Sequence, residues 1–237
     1  MSESSLIEKM EYARDHAAVV DLSYTLEERM PAWPTQARYG SVVYESYEFG
    51  DPAIHSMITM SEHTGTHIDA PRHFVPGGRP VDELPVTTVM GRGVRIDASF
   101  LKPRETLSLE KVREFEAENG EVKRGDIILL RFGWDEKYAL QPHCAGFPKD
   151  WPGLSGEAAE YFLGKKAAAV GCDTLSLDAF GDASNVCHHT LLGHGIPIIE
   201  NICNLSKLPA FSYVVGLPNK FKGGSGSPIR LVAFVEK

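Results

Sequence analysis

Short runs of β-branched and aromatic residues recur along the whole chain and constrain its fold more than any other feature. They lie near 18–22, 41–49, 56–61, 94–97, 126–132, 169–177, 196–200, 212–216 and 229–235. Such side chains suit the pleated, half-buried surface of a strand. Helix candidates are fewer: the N-terminal segment, 108–118 opened by a Ser108 cap, and 155–166, where Ser155 is followed by Glu157 and an alanine-rich face. Many strands with a few helices predict an α/β fold, a single domain with a central mixed sheet or partly closed β-barrel and peripheral helices. No repeat, low-complexity tract or long linker divides the chain, so 1–237 reads as one domain. Residues 1–17 read as an N-terminal helical extension with Leu6, Met10 and Ala13 on one face.

A chain of 237 residues hides roughly 70% of its extended surface on folding, so no metal or disulfide is needed merely to hold a core. A bound metal would therefore point to function. With 24 Lys and Arg against 32 Asp and Glu the net charge is −8, which argues against a nucleic-acid partner. The longest apolar runs, 127–130 and 196–199, fall far short of the roughly 20 residues that span a bilayer. The charged N-terminus lacks the apolar core of a signal peptide, so the expectation is a cytoplasmic protein with no membrane partner. Cys144, Cys172, Cys187 and Cys203 form no CxxC pair and read as buried or idle thiols.

Chemistry concentrates in residues 61–74, SEHTGTHIDAPRHF, which hold His63, His67, Asp69 and His73. A helix would put His63 and His67 on one face but turn Asp69 about 200° away from His67, and Gly65 and Pro71 oppose a helix. A flat strand would separate His63 and His67 by about 13 Å, too far for one metal. The segment must therefore bend, and Gly65 is the residue that permits a turn gathering His63, His67 and Asp69. The strand entering through Met57 to Met60 is expected to end in that turn. Two imidazoles and a carboxylate suit Zn2+, or Mn2+ and Fe2+, with positions left for water and substrate. The alternative is a loop of hydrogen-bonded histidines that holds no metal.

The string HTGTHIDAPRHF resembles the HxGTHxDxPxHF signature of the cyclase family, which includes bacterial kynurenine formamidases and isatin hydrolases. The resemblance implies a swivelling β/β/α type of fold. It makes His63, His67 and Asp69 metal ligands, with Asp69 able to bridge two metals, and His73 the general acid/base. Met30-Pro31-Ala32-Trp33-Pro34 is similar to the family's Trp-Pro element, and Trp33 precedes His63 by thirty residues, like the substrate-stacking tryptophan of the formamidases. His188 and Glu200, twelve residues apart, resemble the formamidase pair that holds a second zinc. His189 competes with His188 for that position, and the family register favours His188.

The resemblance runs from about Val20 to Val235 and implies a metal-dependent amide hydrolase that uses one or two Zn2+ ions, or Mn2+, to activate water. Its leading activity is arylformamidase, cleaving N-formylkynurenine to kynurenine and formate. The alternatives are isatin hydrolase-like opening of a lactam or cyclic imide with manganese, and a non-catalytic metal-binding member. The expected partners are a small aromatic amide substrate and further copies of the chain in a dimer or tetramer. His16, His55, His143 and His194 read as surface or structural histidines. The glycine-rich 223–227 lacks a following Lys and helix, so it reads as a tight turn near the site and not a phosphate loop. The aromatic stretch 134–151 reads as a lid or an oligomer contact.

Overall fold

Residues 5–236, which this computed structural model describes, form twelve strands and four α-helices. In chain order these are α1 (Leu6–His16), β1 (Ala17–Asp21), β2 (Gly40–Glu45), β3 (His55–Thr59), β4 (His67–Asp69), β5 (Met90–Asp97), β6 (Thr106–Leu107), α2 (Leu109–Asn119) and β7 (Ile127–Arg131). They continue with β8 (Gly153–Leu154), α3 (Gly156–Lys165), β9 (Ala169–Cys172), α4 (Val186–Gly193), β10 (Ile198–Glu200), β11 (Phe211–Pro218) and β12 (Gly226–Glu236). Seven strands close into a mixed barrel in the order β12, β11, β5, β7, β9, β10, β4 and back to β12. The pairs β5–β7, β7–β9 and β9–β10 are parallel, and the others are antiparallel. β12 pairs with β4 through Gly226–Pro228 and with the additional strand β1 further along. The expected mixed sheet is thus present and fully closed.

The run IILL in β7 shows why the central strands are apolar throughout. Alternate side chains point to opposite faces, and both faces are covered, as parallel strands with helical crossovers require. Ile127 and Leu129 join Ile68, Ile199, Val214 and Leu231 in a cluster enclosed by the ring. Ile128 and Leu130 face outward with Val170 and Ile198, against Val112 of α2, Phe162 of α3 and Leu191 of α4. Each fully buried side chain of this size contributes about 1.5–3 kcal/mol. The helices begin where the sequence signals place them, because the Ser108 and Ser155 hydroxyls accept the backbone N–H of Lys111 and Ala158.

α1 begins at a Ser5 cap, and none of its residues is buried; residues 1–4 of the expected extension lie outside the described residues. The run 169–177 leaves the sheet after Cys172 because Asp173 turns into the core, where its carboxylate accepts the N–H groups of Phe132, Gly133 and Trp134. Burial pushes that carboxyl up to about 7. The runs at 41–49 and 56–61 supply β2 and β3, which pair in a separate two-stranded hairpin and not in the barrel. In the aromatic stretch expected as a lid or an oligomer contact, Trp134, Phe147 and Trp151 are core residues buried in the outer cluster, while 141–143 between them are exposed. Among the described residues no helix is long and apolar enough to cross a membrane.

Gly171 sits where β9 meets β10. A Cβ there would lie 2.7 Å from Ile202 Cδ1 and 2.9 Å from the Ile199 carbonyl oxygen. Gly171→Ala is therefore expected to lower stability by about 1–3 kcal/mol in chemical denaturation. An unchanged midpoint would show that Ile202 yields without cost.

Candidate metal centre

The motif enters the barrel through β4, a three-residue strand held between β10 and β12. Gly65 makes the preceding turn at φ +64°, and a Cβ at this position would lie 2.6 Å from Leu26 Cδ2, so both conformation and space require glycine. The bend expected at Gly65 is present. The strand period then sends His67 and Asp69 to one face and Ile68 into the enclosed cluster. Glu200 of β10 is the register partner of His67, so the two share a face. His188 comes from the buried side of α4, which packs on the turn Pro71–His73.

These elements bring four buried side chains, His63, His67, His188 and Glu200, together around a buried Asp69. Asp69 Oδ1 lies 2.6 Å from His63 Nδ1 and 3.4 Å from His67 Nε2. Its Oδ2 lies 3.5 Å from His188 Nε2. Glu200 completes the ring, with Oε1 3.2 Å from His188 Nε2 and Oε2 3.6 Å from His67 Nε2. Two ligand sets result, His63/His67/Asp69 and Asp69/His188/Glu200, each with its donor atoms within 4.8 Å of one another.

Each histidine spends its second ring nitrogen on an outer partner. His67 Nδ1–H donates to the Gly65 carbonyl at 2.8 Å, and His188 Nδ1–H donates to Asp178 Oδ2 at 2.5 Å. His63 Nε2–H donates to Ser225 Oγ at 2.9 Å, and the Ser225 hydroxyl donates to Glu62 Oε2 at 2.6 Å. A carbonyl or carboxylate can only accept, so the inward nitrogens of neutral His67 and His188 are lone pairs facing carboxylates. Asp69 Oδ2 is buried with no hydrogen-bond partner among the described residues. Lone pairs converging on carboxylates need a positive charge between them, and a divalent cation of the Zn2+ or Mn2+ type fits this donor set.

The same carboxylates favour protonation of the imidazoles they face. Burial disfavours charge on His67 and His188, but the carboxylates outweigh it and raise both imidazoles: Asp69 and Glu200 act on His67, and Asp178, Asp69 and Glu200 on His188. Burial likewise opposes ionisation of Asp69, yet His188, His63 and His67 hold its carboxyl well below the usual range.

A pocket of about 320 Å³ opens onto the cluster, lined by Trp33, His73, Phe74 and Leu175 among others. His73 is exposed at the rim and belongs to neither ligand set, though its ring centroid is 4.1 Å from that of His63. Loss of solvent on its inner side is the largest cause lowering the imidazole to about 4; Asp69 opposes the shift, and the neighbouring histidines add to it. Trp33 is half-exposed and leans on Trp151, ring centroids 5.9 Å apart. Of the adjacent pair, His188 enters the cluster, whereas His189 is exposed and touches the edge of Phe74. His16, His55, His143 and His194 are exposed and outside both ligand sets. The 223–227 turn does reach the site, through Ser225. Sequence reasoning misses Asp178, Ser225 and Glu62. Glu62 adjoins His63 in sequence and Ser225 lies in the glycine-rich turn expected near the site, but no local pattern marks Asp178.

Residues 20–179 match the Cyclase family model, described as "Putative cyclase". The kynurenine formamidase of Bacillus thuringiensis (strain Al Hakam) is 32% identical over 214 residues, 90% of this chain and 95% of that protein. Among solved structures, isatin hydrolase A from Labrenzia aggregata superposes with a TM-score of 0.88 at 29% identity, over 99% of this chain and all of that one. Isatin hydrolase A from Ralstonia solanacearum gives 0.89 at 26% identity over the whole of both chains. With the family model matched over most of its length and the barrel shared end to end with these structures, the chain belongs to the cyclase family.

Proposed function

We propose that this protein is a metal-dependent amide hydrolase whose substrate is an aryl formamide, N-formylkynurenine, cleaved to kynurenine and formate. The observation that carries this is the second ligand set. His188 and Glu200 meet Asp69 in one buried cluster, and their twelve-residue spacing is the one by which the chain resembles the formamidases. His63, His67 and Asp69 would hold one cation, and Asp69, His188 and Glu200 a second. A divalent cation in such a site polarises a carbonyl oxygen and lowers the pKa of water to about 7.

The chain's own residues supply the rest. His73 is neutral at neutral pH and lies beside the ligands without joining them, so it can accept the proton of the attacking water and return it to the amide nitrogen as the C–N bond breaks. Trp33 and Phe74 give the aryl ring a flat apolar wall.

A second substrate is favoured by a different observation. The isatin hydrolase structures superpose on 99% or more of this chain with TM-scores of 0.88 and 0.89. Opening of a cyclic aromatic amide at the same cations is the alternative.

Four outcomes are expected. His188→Ala should reduce bound zinc from two ions to one per chain by elemental analysis after dialysis, while His189→Ala retains both; equal loss in the two variants would remove His188 from the site. Because His67 and His188 hold protons to higher pH than free imidazoles, cation binding must expel protons and should weaken as pH falls through those raised values. Calorimetry in buffers of differing ionisation enthalpy counts the protons released, and none released near neutral pH would contradict it. Initial rates should favour N-formylkynurenine over isatin, and His73→Ala should lower kcat about 10² to 10⁴-fold with metal content unchanged. Isatin as the better substrate would select the alternative.

A further inference from the structure

The 134–153 segment ends in a buried stretch that touches both halves of the site. Residues 151–154 run along 177–180. Leu154 N–H donates to the Leu177 carbonyl at 2.9 Å, and Phe180 N–H donates to the Trp151 carbonyl at 3.0 Å. The Trp151 indole Nε1–H donates to the Asp178 carbonyl at 2.9 Å. No side chain fits between the strands of this clamp, since a Cβ on Gly153 would lie 2.2 Å from Ala179 N and 2.7 Å from the Asp178 carbonyl carbon.

Asp178 in turn holds α4 and its histidine. Its Oδ1 accepts Cys187 N–H at 2.8 Å, and its Oδ2 accepts both His188 N–H at 3.2 Å and His188 Nδ1–H at 2.5 Å. On its other side the Trp151 ring packs 5.9 Å from the Trp33 ring and edge-on to Phe180 at 4.8 Å. One indole, 2% exposed, therefore supports the pocket wall and the backbone of the residue that orients His188.

We propose that Trp151 is a positioning residue for both halves of the site: it seats Trp33 against the pocket and, through the Asp178 carbonyl, sets the carboxylate that aims His188 Nε2 at the second ligand set. A residue that only fills the core is replaceable by another ring, whereas this role needs the indole N–H. The inference rests on the two-cation hydrolase proposed above for its consequence in metal binding, but not for the orientation of His188.

The test uses the full chain as wild type, Trp151→Phe and Trp33→Phe. Three quantities are measured: the His188 imidazole N–H resonance in histidine-labelled protein, stepwise Zn2+ affinity by chelator competition, and KM and kcat for N-formylkynurenine. Trp151→Phe keeps a ring and loses the donor. It should shift or broaden the His188 signal and weaken the second zinc about 10-fold or more, with the first zinc unchanged. Trp33→Phe should raise KM and leave both zinc affinities and the His188 signal as in wild type. A Trp151→Phe protein that differs from wild type only in its melting midpoint would overturn the proposal. A wild type that takes up a single zinc, while its His188 signal still responds to Trp151→Phe, would sink the two-cation function and sustain the positioning role.

Discussion

One buried carboxylate organises the site. Asp69 lies at the junction of two ligand sets, with one oxygen facing His63 and His67 and the other, with no hydrogen-bond partner among the described residues, facing His188. A carboxylate so placed is costly to bury unless positive charge meets it. The geometry around it follows from that need. Three imidazoles turn their second nitrogens to a carbonyl, a hydroxyl and a carboxylate, and their first nitrogens inward. Protons on His67 and His188 and a divalent cation would be alternative ways of supplying the same charge.

The barrel gives this carboxylate its rigidity. β4 is only three residues long, yet both its edges are paired, to β10 and to β12. Closure of the ring thus brings residues near 69, 200 and 226 into adjacent registers. The outward faces of β4 and β10 carry the candidate ligands His67, Asp69 and Glu200, while Ile68 and Ile199 anchor the same strands in the enclosed cluster. The helical layer covers the outward face and supplies His188. Site and core are therefore alternate residues of the same strands, so strain from a substitution such as one at Gly171 reaches the ligands through the backbone.

Much of this is legible in the chain. The strand runs, the Ser108 and Ser155 caps, the bend at Gly65 and the identities of His63, His67 and Asp69 are local properties, set by side-chain shape, spacing and glycine's conformational freedom. α4 escapes a reading of the sequence, because residues on most of its sides are buried and no amphipathic stripe marks it. The 134–153 stretch misleads because aromatic residues near an active site suit a lid as well as a core, and only the packing against β7, β9 and α3 distinguishes them.

By itself the sequence determined which side chains could bind a cation and where the chain must turn, since those follow from donor chemistry and backbone sterics within a few residues. The tertiary structure decided the rest: that His188 enters the cluster and His189 does not, that Glu200 faces His67, and that Ser225 and Asp178 hydrogen-bond His63 and His188. These depend on strand register, helix rotation and hydrogen bonds between residues as far apart in the chain as Glu62 and Ser225, 163 positions, for which nearest-neighbour chemistry carries no signal.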